Sequence, residues 1–318
     1  MGTFFFNRRG RLRAGWRLLL FLAVLFSLGA LFAAPLAPII PEEGALPGGE
    51  GGGESLSPQE WRLTLLLDGY LLIPVVLTSW LMVRYIDRRP FSSLGLSLKA
   101  RLGRELLWGV ALGGAMGGLY LMGSWLVGAL EIEVGSPSWE LLGGLVLLLI
   151  GFLLAAAFEE TLFHGYPLQT LLEGIGLYPT LFLISVAFSL LHRANPHITL
   201  IGLINIALAS LLLALCYLKT RALWLPIGLH FSWNAFQALC GLPVSGLEFG
   251  PGLVQVKLSG PEALTGGAFG PEGGLLATAI FALAIAFVVL SRRIRPSEPM
   301  AKLWEEHIHP AFSGRLEL

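Results

Sequence analysis

Glu159 and Glu160 stand side by side near the end of a long apolar run, with His164 four residues beyond Glu160. Two adjacent carboxylates at membrane depth cost roughly 2.5–3.5 kcal/mol each on insertion scales. A chain keeps such a pair only where the folded protein uses it. A second run ends in Phe188-Ser189-Leu190-Leu191-His192, followed by Asn195-Pro196. A third contains His230-Phe231-Ser232-Trp233-Asn234. On a helix, Glu160 and His164 share a face, and so do His230 and Asn234. Glu159 points about 100° away from Glu160, so the two carboxylates need not do one job.

Each group has a plainer explanation when taken alone. His192 could be a satisfied core histidine at the junction where Pro196 starts the next helix. His230 and Asn234 could be an interhelical hydrogen-bond pair, worth about 0.6–2 kcal/mol in a membrane. Together they say more. Polar groups from three apolar runs must avoid lipid, and a shared bundle interior lets them. Converged, they hold the parts of a hydrolase: a carboxylate base, a histidine to hold a water, and donors for an oxyanion.

The elements that must position them are membrane helices. The chain has 318 residues, 55% hydrophobic and 13% charged, with a mean hydropathy of +0.73. A globular domain is nearer a quarter charged. The expected fold is all-α, a polytopic bundle of about eight transmembrane spans. They fall at about 16–40, 62–86, 104–130, 139–172, 178–193, 197–218, 225–240 and 274–291, each near the ~20 residues that cross the hydrocarbon. The fourth is too long for one simple span and could leave the membrane as an amphipathic extension. The first follows Arg8, Arg9, Arg11, Arg13 and Arg17, and its length argues for a retained span rather than a signal core.

Loop charge orients the bundle. Residues 41–60 are rich in Gly and Glu, and residues 131–140 carry only acids. Basic residues cluster in the N-terminus, in 87–104, at Lys219 and Arg221, and at Arg292, Arg293 and Arg295. The positive-inside rule then places both termini in the cytoplasm. The expected organisation is a basic segment 1–15, a membrane domain 16–292 and a polar, solvated tail 293–318. Residues 241–273 read as a Gly- and Pro-rich loop with a short hairpin around Leu253–Lys257. Cys216 and Cys240 lie in apolar stretches and read as buried small hydrophobes, not a disulfide. The net charge is zero, so no basic field draws nucleic acid.

The three motifs in order resemble the CAAX-protease and bacteriocin-processing (CPBP, or Abi) family of intramembrane endopeptidases. The resemblance covers about residues 140–240 and extends to Leu218-Lys219-Thr220 and Leu223-Trp224-Leu225-Pro226. It implies a protease of the prokaryotic cell membrane, acting on a peptide or a membrane-anchored protein. It implies that Glu159 activates a water shared with His192, and that His230 and Asn234 stabilise the oxyanion. It implies that Glu160 is the supporting glutamate, which in the family pairs with a motif arginine. Here His164 stands in that arginine's place, a departure from the pattern.

The departure keeps alternatives open. One is a non-catalytic peptide-binding or scaffold protein of the same fold. Another is a zinc-dependent version of the protease, since Glu160, His164, His192 and His230 are chemically adequate ligands; His307 and His309 could also take metal. The reading preferred is metal-free, with no cofactor. A zinc transporter would need a continuous polar path, and no span offers a second polar stripe.

Overall fold

A computed structural model of the chain describes residues 2–7, 10–36, 58–98, 101–133, 138–250 and 252–308. Ten helices of two turns or more dominate it: α1 (Ala14–Ala33), α2 (Pro58–Leu81), α3 (Leu102–Leu126), α4 (Trp139–Glu160), α5 (Tyr166–Ile175), α6 (Leu177–Leu191), α7 (Leu200–Thr220), α8 (Trp224–Leu239), α9 (Leu275–Leu290) and α10 (Glu298–His307). Among the described residues, six helical stretches are long and apolar enough to cross a membrane: 14–33, 69–86, 102–126, 141–175, 177–194 and 200–220. The seventh and eighth expected spans are the 16-residue helices α8 and α9. At 1.5 Å per residue each reaches only about 24 Å.

The bundle has a centre and a rim. The apolar window of α7 is 56% buried, that of α1 only 11%. α7 packs on α6 and α9, and α8 packs on α3 and α4. A tight turn at Arg221, in the left-handed region (φ 57°), sends α8 back from α7. The helix carrying His230 and Asn234 therefore lies inside the bundle.

What brings α8 and α3 so close is a glycine seam. Gly109, Gly113 and Gly117 recur every fourth residue and line one face of α3. A Cβ at Gly109 would strike the Leu225 carbonyl, one at Gly113 the Ser232 hydroxyl, and one at Gly117 the Phe236 ring. α8 answers with Gly228, where a Cβ would strike the Leu106 carbonyl. Small residues let backbones approach where lipid gives no hydrophobic drive between helices.

The fourth segment divides as its length demands. α4 opens with Ser138 capping the Leu141 amide at 3.1 Å. After Glu160 the chain makes one π-helical turn, Thr161–Gly165, and continues as α5. Gly176 (φ 83°) then turns it into α6. At the other end of α6, His192 opens a short 3₁₀ turn, as expected of a junction. The next helix, however, starts at Leu200 and not at Pro196. Thr199 caps the Gly202 amide at 3.0 Å, and His197 ahead of it has a positive φ.

Other expectations are corrected. Residues 255–258 do not form a local hairpin: Gln255–Leu258 (β2) pairs antiparallel with the distant Leu130–Glu133 (β1). The tail is not wholly solvated, because Met300 and Trp304 of α10 are buried. His309 lies outside the described residues. Two of the basic residues counted in the clusters, Arg17 and Arg89, are buried and paired. Arg17 bonds Asp87 at 2.9 Å and Glu173 at 2.8 Å, and Arg89 bonds Asp87 at 2.8 Å, all buried or nearly so. This network ties α1 and the chain after α2 to α5. Cys216 and Cys240 are buried and unpaired, as expected.

The seam makes a discriminating prediction. Gly113→Ala forces α3 from α8 and should cost about 1–3 kcal/mol, as overpacking does. Gly114 has open space around it, so Gly114→Ala should be neutral or slightly stabilising by helix propensity. Thermal unfolding of the two purified variants compares them directly. Equal melting temperatures would mean that the seam does not set the helix spacing.

Candidate functional site

The two adjacent glutamates have opposite surroundings. Glu160 is completely buried, and both of its oxygens are taken. His164 Nδ1 lies 2.7 Å from Oε2, and His230 Nδ1 lies 2.9 Å from Oε1. A carboxylate only accepts, so each Nδ1 carries the proton. On the far side of His164, Nε2 lies 3.3 Å from the Ser210 hydroxyl, which can donate to it. One buried carboxylate thus joins three helical segments: the end of α4, the π turn after it, and α8. The shared face expected of Glu160 and His164 is present. The second bond, to His230, was not foreseen.

Glu159 points elsewhere, as its position on the helix requires. Its side chain is 25% exposed, and Oε2 has no hydrogen-bond partner among the described residues. His230 Nε2 lies 3.9 Å from that oxygen. His230 therefore sits between the glutamates, Nδ1 on Glu160 and Nε2 toward Glu159.

Glu159 opens onto a cavity of about 320 Å³. Its walls are largely apolar and aromatic, including Phe152, Phe158, Phe188, Phe249 and Phe281. His192, His230 and Asn234 line the same cavity. Glu160 and His164 do not; they stand behind its wall. His192 gives its Nδ1 proton to the Phe188 carbonyl at 2.8 Å. That carbonyl can only accept, so in the neutral ring Nε2 keeps a lone pair. The Phe188 ring lies against the His192 ring, with centroids 4.9 Å apart. It also packs on Phe163 at 5.0 Å.

Polar groups not singled out in the sequence also reach the cavity. Glu272 is buried and lines it. It accepts from the Trp233 indole at 2.7 Å and from the Ser245 hydroxyl. Asn195 donates to the Ser245 carbonyl at 2.9 Å. These bonds hold the turn Val244–Leu247 against the His192 junction and against the residue beside Asn234. The sequence signal was faint: one acid in Gly270-Pro271-Glu272-Gly273, inside a stretch read as loop. Asn205, also passed over, fixes that stretch by donating to the Glu272 and Gly274 carbonyls at 2.7 and 2.9 Å.

Among the described residues, no three His, Cys, Asp or Glu side chains form a group suited to a metal ion. The Nδ1 atoms of His164 and His230 are spent on Glu160, and His192 Nδ1 is spent on a carbonyl. His307 sits in α10, far along the chain from the cavity residues, beside Glu306 at 3.8 Å.

The chain is thus a helical, multi-pass membrane protein with a cavity that gathers carboxylate, imidazole and amide groups. Residues 141–236 match the family model described as type II CAAX prenyl endopeptidase, Rce1-like. That match agrees with the family resemblance carried by the three motifs, and Glu159, Glu160, His164, His192, His230 and Asn234 all fall within it. Glu272 lies beyond it. No curated protein and no solved structure matched the chain.

The surroundings of the two glutamates predict opposite costs. Removing one partner of a buried, paired charge typically costs about 3–5 kcal/mol. Glu160→Ala should cost that much, because it leaves two imidazoles, one buried and one nearly so, without an acceptor. Glu159→Ala should change stability by well under half of it. Thermal and denaturant unfolding of the two variants would decide, and similar small losses in both would remove Glu160 from its supporting position.

Proposed function

We propose that the protein is an intramembrane endopeptidase that uses Glu159 as its base. The supporting observation is the contrast just described. Glu159 accepts no hydrogen bond at Oε2 and faces a largely apolar cavity, whereas both oxygens of Glu160 are spent on histidines. A water held between Glu159 and His192 Nε2 loses a proton to Glu159 and attacks the scissile carbonyl. The new C–O bond leaves a tetrahedral oxyanion. Asn234 donates to it from its amide, and His230 donates from Nε2 in its charged form. Collapse breaks the C–N bond, and the proton held on Glu159 passes to the leaving amine.

The largely apolar walls lower the local polarity around the reacting groups and strengthen each of these interactions. Fixed donors around the developing charge supply the largest share of the rate. No step needs a metal. Eight crossings, with α8 and α9 completing the count and both termini in the cytoplasm of a prokaryotic cell, fit the loop charges. The substrate would be a peptide or a membrane-anchored protein, cut within the bilayer.

The test is cleavage of a peptide library by the purified protein in detergent or nanodiscs. Glu159→Gln keeps the shape but cannot take the proton, so it should abolish cleavage and leave the melting temperature near that of the wild type. Asn234→Ala should lower kcat by about 10²–10³, the usual loss for one oxyanion donor. Wild-type-like cleavage by Glu159→Gln would overturn the assignment. Activity lost to a chelator and restored by zinc would overturn the metal-free step. A wild type that binds peptides and cleaves none would favour the scaffold reading.

A further inference from the structure

Asn234 lines the cavity but makes no hydrogen bond among the described residues. Its aim is therefore set by how α8 is turned about its axis. α8 has two polar anchors, each on a buried carboxylate. His230 Nδ1 bonds Glu160 Oε1 at 2.9 Å. Trp233, three residues on and buried, donates its indole N–H to Glu272 Oε1 at 2.7 Å. On a helix Asn234 projects about 40° to one side of His230, and Trp233 about 60° to the other. One tie alone would leave the helix free to roll about it; the second stops the roll.

Glu272 is a firm point to tie to. Its carbonyl and that of Gly274 accept from the Asn205 amide of α7 at 2.7 and 2.9 Å. Asn205 Oδ1 in turn accepts from the Thr278 hydroxyl of α9 at 2.7 Å. The second carboxylate oxygen, Oε2, accepts from the Ser245 hydroxyl, and the Ser245 carbonyl accepts from Asn195. Ser245 is a non-glycine residue with a positive φ of 49°, a conformation that persists only where the surroundings hold it. Both oxygens of Glu272 thus reach chain segments that line the cavity, while its backbone is pinned to the bundle.

We infer that Glu272 is a positioning residue for the endopeptidase reaction: through the Trp233 indole it sets the rotation of α8, and so aims the Asn234 amide at the oxyanion. The inference rests on the function proposed above. It puts part of the working site outside the matched residues 141–236. Positioning asks for an acceptor at Oε1, not for a charge. Glutamine supplies that acceptor, and its amide nitrogen can donate to the Ser245 hydroxyl oxygen. Leucine fills similar space and supplies neither bond.

The experiment measures kcat and KM of the purified full chain on a peptide that the wild type cleaves, with the folded fraction of each variant taken from its unfolding curve. Trp233→Phe keeps an aromatic ring and removes the N–H. It should lower kcat about 10²-fold, the scale of a misplacement by about 1 Å, with KM little changed. Glu272→Leu should lower kcat at least as far. The double variant should be no worse than Glu272→Leu alone, because both changes act through one bond. Glu272→Gln should keep most of kcat. If Glu272→Leu does not fold, Trp233→Phe and Glu272→Gln decide between them. A kcat near that of the wild type in folded Trp233→Phe, or losses that add in the double variant, would overturn the inference alone. So would a Glu272→Gln variant as slow as Glu272→Leu, since charge and not position would then be what Glu272 supplies. A wild type that cleaves no peptide would overturn the endopeptidase reading, and this inference with it.

Discussion

A fully buried carboxylate inside a membrane bundle cannot stand alone, and Glu160 is such a carboxylate. Its charge must be met by donors drawn from its surroundings, because neither lipid nor bulk water reaches it. His164 meets one oxygen from the same helical stretch. His230 meets the other from a helix seventy residues later in the chain. The second bond fixes α8 against α4 at the level of Glu159. Removing it would free the register between the two helices that carry the cavity's polar groups. The glycine seam works from the opposite side: α3 presses α8 toward α4, and Glu160 stops it at one depth.

The same constraint separates the neighbouring glutamates. Successive helical residues point about 100° apart. If Glu160 faces the packed interior, Glu159 must face away from it, and here that direction is the cavity. The π turn at Thr161–Gly165 follows at once. A widened turn is uncommon within helices and tends to occur at functional sites; here it carries His164 while α5 departs in a new direction. Two identical side chains, adjacent in sequence, thereby acquire different chemistry from geometry alone. One is committed to structure; the other is left free beside an apolar chamber.

Much of this was legible in the sequence where a single helix decides the outcome. The spacing of Glu160 and His164 gave their shared face. The apolar runs gave most of the helices, and the length of the fourth gave its division into α4 and α5. Contacts between helices were less legible. The glycines at 109, 113 and 117 stand plainly in the chain, but small-residue spacing does not name a partner, and nothing in α3 points to α8. Glu272 was missed for a related reason. It has no periodic context, and only the folded return of residues 241–273 over the bundle brings it beside Trp233 and Ser245. The pairing of β1 with β2 spans more than a hundred residues, so a local hairpin was the natural but mistaken reading. The pairing of Arg17 and Arg89 with Asp87 and Glu173 was not legible either: composition counts charges and cannot show which of them meet inside the protein.

His164 at the position where the family resemblance implies an arginine can now be understood in terms of donors. A guanidinium offers two parallel N–H groups to both oxygens of a carboxylate. An imidazole offers one toward any one partner. Here His164 meets one oxygen of Glu160 and His230 meets the other, so two rings supply its donors. The substitution is therefore more than a weakened ion pair. It ties the supporting glutamate to the ring that faces Glu159, and makes the orientation of His230 depend on the charge of Glu160. In this chain, the geometry of the proposed oxyanion donor is set through the buried carboxylate behind it.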